Sequence, residues 1–107
     1  MNRAILPNRR PNSTIMTEWE GHEIAVTVGY DPATADPREV FANTPRGGAL
    51  QGTVADACVV ISIALQHGVS PEALSRSLGR VPVWPEPMTA PASPIGAIMA
   101  IVVGEAK

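Results

Sequence analysis

The sequence predicts an α+β fold: a three-stranded antiparallel sheet with two to three helices packed on one face. Three observations carry this. Residues 13–30 alternate apolar and polar side chains with period two, around a turn. Residues 50–66 are apolar with helical periodicity. All strand signals precede all helix signals, which argues for an antiparallel sheet covered on one side rather than alternating β/α units.

The first two strands lie in "STIMTEWEGHEIAVTVGY", residues 13–30. Ile15, Thr17 and Trp19 alternate with Thr14, Met16 and Glu18, and Glu20-Gly21 offers a turn that accepts positive φ. Ile24, Val26, Val28 and Tyr30 then share one face, with Glu23, Ala25, Thr27 and Gly29 on the other. "DPATADP" reads as a loop and "REVFANT", residues 38–44, as a short third strand. The sheet face away from the helices carries Met16, Ala25, Thr27 and Val40 in this reading, apolar enough to be covered by the tail or by another subunit.

A first helix is predicted from about Leu50 to Gln66. Thr53, Val54, Ala57, Val60, Ile61, Ala64 and Leu65 form its broad apolar face, and Gln51, Ala55, Ser62 and Gln66 a narrow wetter stripe opposite. Gly68 ends it in a left-handed conformation. Ser70 caps a second helix, with Pro71 at its first position and Glu72 at the positive end of the dipole, ending by Gly79. Ser93 and Pro94 start a third, short apolar helix that runs to Val103. Prolines concentrate in an extended N-terminal arm, residues 1–13, and in "VPVWPEPMTAPASP", residues 81–94, expected as an extended strap within one domain of 107 residues.

Composition narrows the function classes. A chain this size buries roughly two-thirds of its unfolded surface, so it can own a core. Aromatics are only 4%, so that core is built from Val, Ile, Leu, Ala and Met. The net charge of −2 and the absence of basic runs point away from nucleic acid and membrane surfaces. No apolar run reaches the ~20 residues of a transmembrane helix, and the N-terminus lacks a signal-peptide core, so the cytoplasm is the default expectation. Cys58 is the sole cysteine, which excludes an intrachain disulfide and a CxxC zinc site and suits a reducing compartment.

Few residues suggest chemistry. Asp56, near the border of the apolar helix face, is expected as a buried structural carboxylate satisfied by a loop or an arginine. Cys58 has no cationic helical neighbour and reads as core packing. His22 and His67 lie next to turns without an acidic cluster, so no metal site is expected. The best ligand candidate is "TPRGGAL", where Arg46, Gly47 and Gly48 precede a helix and expose backbone N–H groups to an anion, with Arg9 and Arg10 as conceivable helpers. It lacks the Lys-Ser/Thr ending of a phosphate loop. The bland reading is a loop that needs positive φ. No nucleophile–base pair or spaced carboxylate pair is visible, so the reading leans away from an enzyme in its own right, and no catalytic residue is assigned.

"ILPNRRPNST", "GHEIAVTVGY", "REVFANTPRGGALQGTVADACVVISIALQHGVSPEALSRSLGRVP" and "ASPIGAIMAIV" together resemble, in order, the TSCPD domain found in the C-terminal region of adenosylcobalamin-dependent (class II) ribonucleotide reductases. The likeness spans about residues 5 to 102. It implies a fold and an association with deoxyribonucleotide synthesis, not an active site. In the family, radical chemistry belongs to a large barrel that binds cobalamin, and this chain is too short to contain one. The Thr-Ser-Cys-Pro-Asp string is absent, as is the cysteine-rich tail. The resemblance implies a non-catalytic accessory or interaction module, with no cofactor of its own and adenosylcobalamin only if a reductase partner is present. Its partners would be a ribonucleotide reductase chain or a second copy of itself. Any enzymatic activity attached to it by resemblance would be that of vitamin B12-dependent ribonucleoside-diphosphate reductase. The alternative is a small-ligand sensor for a nucleotide or phosphate at Arg46-Gly47-Gly48.

Overall fold

Two packed layers make the fold, seen in a computed structural model that describes residues 3–45 and 47–106. The elements run β1 (Asn12–Trp19), β2 (His22–Tyr30), β3 (Pro37–Asn43), α1 (Gly48–Gln66), α2 (Pro71–Arg76), β4 (Arg80–Pro82), β5 (Thr89–Pro91) and α3 (Pro94–Glu105). β1, β2 and β3 form an antiparallel sheet in that order, and the helices cover one of its faces, as the sequence predicts.

Local chemistry explains most boundaries. Glu20 (φ 47) and Gly21 (φ 79) both adopt left-handed backbone in the two-residue β1–β2 turn, matching the twist of the flanking strands. Ser70 Oγ accepts from the Ala73 N–H at the start of α2, and Ser93 Oγ from the Gly96 N–H at the start of α3. Pro71 and Pro94 each occupy a first turn where no N–H is required. Gly96 is buried against the preceding strand: a Cβ there would stand 3.0 Å from Pro91 Cβ. The third helix is therefore helical through its glycine.

The core lies between the layers. Ile24, Val26 and Val28 of β2 are fully buried, and Val40 and Ala42 of β3 join them. Val54, Cys58, Ile61 and Leu65 of α1 close over that surface, with Ile98, Met99 and Val102 of α3. Tyr30 Oη donates to Glu105 at 2.8 Å and pairs with Ser13 Oγ at 2.7 Å, tying the end of α3 to the sheet.

Several expectations need correction. Val40 points into the core at 1% exposure, and Phe41 takes the opposite face. The proline-rich strap doubles back: β4 and β5 pair as a small antiparallel hairpin, with Trp84 beyond them almost fully exposed. Asp56 is exposed, not buried. The helix turns about its axis relative to the predicted orientation, so its most apolar arc is not its most buried one: Val60 is 67% exposed, while Gln66 is buried. By length and composition alone α1 is also long and apolar enough to cross a membrane, contrary to the expectation from the sequence. Here its Val54, Cys58, Ile61 and Leu65 pack on the sheet.

Candidate functional site

In an antiparallel ladder, alternate residues of an edge strand direct N–H and C=O away from the sheet. On β3 these are Arg38, Val40 and Ala42, followed by Thr44. An open edge of this kind invites another strand. Here α1 lies along it and answers most of these groups with side chains. Gln66 Nε2 donates to Arg38 O at 3.1 Å. Ser62 Oγ accepts from Val40 N at 2.9 Å and donates to Val40 O at 3.2 Å. The Ala42 N–H favours the Cys58 thiolate, and Gln51 Nε2 donates to Ala42 O at 3.4 Å. Gln51 Oε1 accepts from Thr44 N at 2.6 Å and from Thr44 Oγ1 at 2.8 Å.

Gln51, Cys58, Ser62 and Gln66 are spaced by seven, four and four residues, one stripe of a helix. The stripe read as water-facing is in truth the face that meets the edge of the sheet. The far end is locked by the N-terminal arm: Arg3 Nε bonds Gln66 Oε1, and Ala4 N donates to Gln66 O at 2.7 Å.

With these polar groups engaged, the seam above them is apolar. A groove of about 560 Å³ runs between β3 and α1, walled by Phe41, Ala55, Val59 and Ile63 with Cys58 at its floor. Phe41 and Val59 are more than half exposed. Burial pushes the Cys58 thiol up to about 11, against the opposing pull of the Ala42 N–H. At neutral pH it is a protonated core thiol and a poor nucleophile. The site therefore offers apolar contact and shape.

The residues singled out as a ligand site are not gathered in one place. Arg46 lies outside the described residues. Gly47 (φ 63) and Gly48 (φ 79) form the positive-φ turn at the N-terminus of α1, and no side chain caps that end. A cavity of about 360 Å³ beside Thr44 and Pro45 is lined by Glu18 and Glu23, a poor setting for an anion. Arg10 is at the other end of the molecule. Its Nε contacts Glu39 Oε1 at 2.5 Å and its Nη1 donates to Pro7 O at 2.8 Å. The bond to Glu39 raises its pKa further. Glu39 and Arg10 border the same hollow as Gln66, the last residue of α1. The 19 residues of that helix span about 28 Å, so Arg10 and its neighbour Arg9 are a helix length from Gly47 and Gly48. Asp56 projects from an exposed position on α1. Among the described residues, no group of three His, Cys, Asp or Glu side chains could hold a metal ion.

Sequence reasoning passed over the seam itself. The available signal was the polar stripe at positions 51, 62 and 66 in an otherwise apolar helix, which doubles as a hydrogen-bonding template for a strand edge.

Comparison with known proteins gives one match. The family model described as the TSCPD domain matches residues 4–102, nearly the whole chain. No curated protein and no solved structure matches.

Proposed function

This chain belongs to the TSCPD domain family, a family associated with ribonucleotide reductases, and from that premise we propose that it is a non-catalytic interaction module of deoxyribonucleotide synthesis that docks a reductase chain at the α1–β3 seam. The observation that supports this reading is the exposed apolar groove of Phe41, Val59 and Ile63 over a floor whose hydrogen-bonding groups are already engaged. Such a surface gains by losing water and has few polar groups to strip, the character of an interface centre. On this reading the protein carries no cofactor of its own, and adenosylcobalamin enters with the reductase. It works in the cytoplasm, the reducing compartment that a lone buried thiol suits.

The test is titration of the purified chain with the cobalamin-dependent reductase of the same organism, read by calorimetry. Wild type binds, and Val59→Glu or Ile63→Glu weakens binding by about a hundredfold, the effect of a desolvated charge at an interface core. Trp84→Ala, on the distant hairpin, leaves affinity unchanged. Absence of binding by wild type, or binding indifferent to both seam substitutions, overturns the proposal.

A further inference from the structure

The two edges of the sheet are treated differently. The β3 edge is closed by α1. The β1 edge has no such cover. The Tyr30 N–H donates to Pro11 O at 2.9 Å, which fixes the phase of the β1–β2 ladder. Ser13, Ile15, Thr17 and Trp19 bond inward to β2, while Asn12, Thr14, Met16 and Glu18 direct their N–H and C=O outward. Among the described residues, none of those outward groups has a protein partner.

β1 also lacks the devices that usually protect an edge. It has no proline, no lysine and no break in register from Asn12 to Trp19. β3, by contrast, starts at Pro37 and has an irregular register at Gly29/Tyr30. The layer beneath β1 is unfinished too. Ile24, Val26 and Val28 are fully buried, yet Ser13, Ile15, Thr17 and Trp19, their neighbours across the ladder, are only half-buried. Towards its Trp19 end the strand meets the β4–β5 hairpin, where Trp19 Nε1 donates to Pro91 O at 3.3 Å and a cleft of about 420 Å³ lies between Thr17, Trp19, Val81, Ala90 and Ile101.

Formal charge along the strand indicates what completes it. Arg9 and Arg10 precede β1, and Glu18 and Glu20 mark its far end. A second copy running antiparallel sets each basic start beside an acidic end. A parallel copy would set like against like. We propose that β1 is the dimerisation edge of this protein: two copies join β1 to β1 antiparallel about a twofold axis at Ile15, giving one continuous six-stranded sheet.

That alignment pairs all the outward residues within the strand. Thr14 stands opposite Met16 of the second copy, and Asn12 opposite Glu18, so an amide meets a carboxylate. Glu20 falls opposite position 10 of the second copy, whose arginine is already paired with Glu39 of its own chain, so the charge complementarity at this end rests on Arg9. Ile15 meets its own symmetry mate on the inner face, where each is half-exposed in the monomer. The partner is a second copy because the pattern is self-complementary under a twofold axis. The surface is the opposite edge from the reductase seam, so this inference does not rest on the proposed docking function.

The experiment uses the full chain. Sedimentation velocity at tens of micromolar gives a dimer for wild type. Met16→Pro removes one outward N–H that nothing within the monomer uses, a position where an edge strand accepts proline. It shifts the chain to monomer, weakening association by at least about tenfold. Circular dichroism checks that the fold is kept. Independently, Ile15→Cys, Thr14→Cys and Met16→Cys are oxidised separately. Cys58 is buried and stays silent. The proposed alignment puts Ile15 on the axis, so Ile15→Cys forms the disulfide-linked dimer and the other two do not. This reading stands even if Met16→Pro fails to fold. A monomeric wild type, a dimer that survives Met16→Pro, or cross-linking through position 14 or 16 in place of 15 overturns the proposal.

Discussion

Ser62→Ala isolates the idea that α1 stands in for a fourth strand. The hydroxyl serves Val40 twice, accepting from its N–H at 2.9 Å and donating to its carbonyl at 3.2 Å. Val40 is 1% exposed, so the groups it loses are not freely hydrated. An unsatisfied buried donor costs about 1–3 kcal/mol. Alanine is the better helix former by about 0.5 kcal/mol, which offsets part of that. The net expectation is a loss of about 1–2 kcal/mol. In a domain of this size that lowers the melting temperature by roughly 4–8 °C per kcal/mol. Urea unfolding followed by circular dichroism measures the loss. Amide exchange supplies the specific readout: the Val40 N–H faces away from β2, so its protection comes from Ser62, and it should exchange at least about tenfold faster in the variant, as loss of roughly 1.4 kcal/mol of local protection implies. The Val26 amide, inside the ladder, reports the global change alone. Unchanged stability together with unchanged Val40 exchange would refute the reasoning, because it would mean that water in the groove serves the edge as well as the hydroxyl does.

Two further expectations follow from burial. Folding raises the Cys58 thiol from 9.0 to about 11, so its share of stability is complete below about pH 9 and disappears as pH rises to about 11. Two pH units at ~1.4 kcal/mol each set a ceiling of about 3 kcal/mol; urea titrations of wild type and Cys58→Ala across that window should therefore converge as pH rises, and parallel curves would contradict this. Asp56 is exposed on α1, so Asp56→Ala should change stability by no more than about 0.5 kcal/mol in the same assay, whereas a loss of several kcal/mol would restore the buried structural carboxylate that the sequence suggested.

The legible parts share one property: their causes are local. Period-two alternation put Ile24, Val26 and Val28 on one face, and that face is the core. The Glu20-Gly21 turn fixed the first hairpin, and Ser70-Pro71 and Ser93-Pro94 marked two helix starts within a residue. Each depends on φ, on a missing N–H or on a hydroxyl within one turn of chain. The candidate site was not legible in this way. Gln51, Ser62 and Gln66 were assigned to water because polar residues on an apolar helix usually face it. The demand they meet arises in β3 and in Thr44 just after it, seven to twenty-eight residues earlier, and exists only once that strand is an edge.

The sequence by itself therefore determined the order and type of the main elements, the hydrophobic side of β2 and the small-residue character of the core. The tertiary structure alone decided how α1 turns on its axis, and with it that Asp56 is exposed, that Phe41, Val59 and Ile63 border an open groove, and that Arg9 and Arg10 are far from Gly47 and Gly48. The physical reason is that a backbone hydrogen bond left unmade at a buried strand edge costs more than an exposed valine. A helix that can satisfy the edge turns its glutamines and serine inward and leaves part of its apolar surface outside.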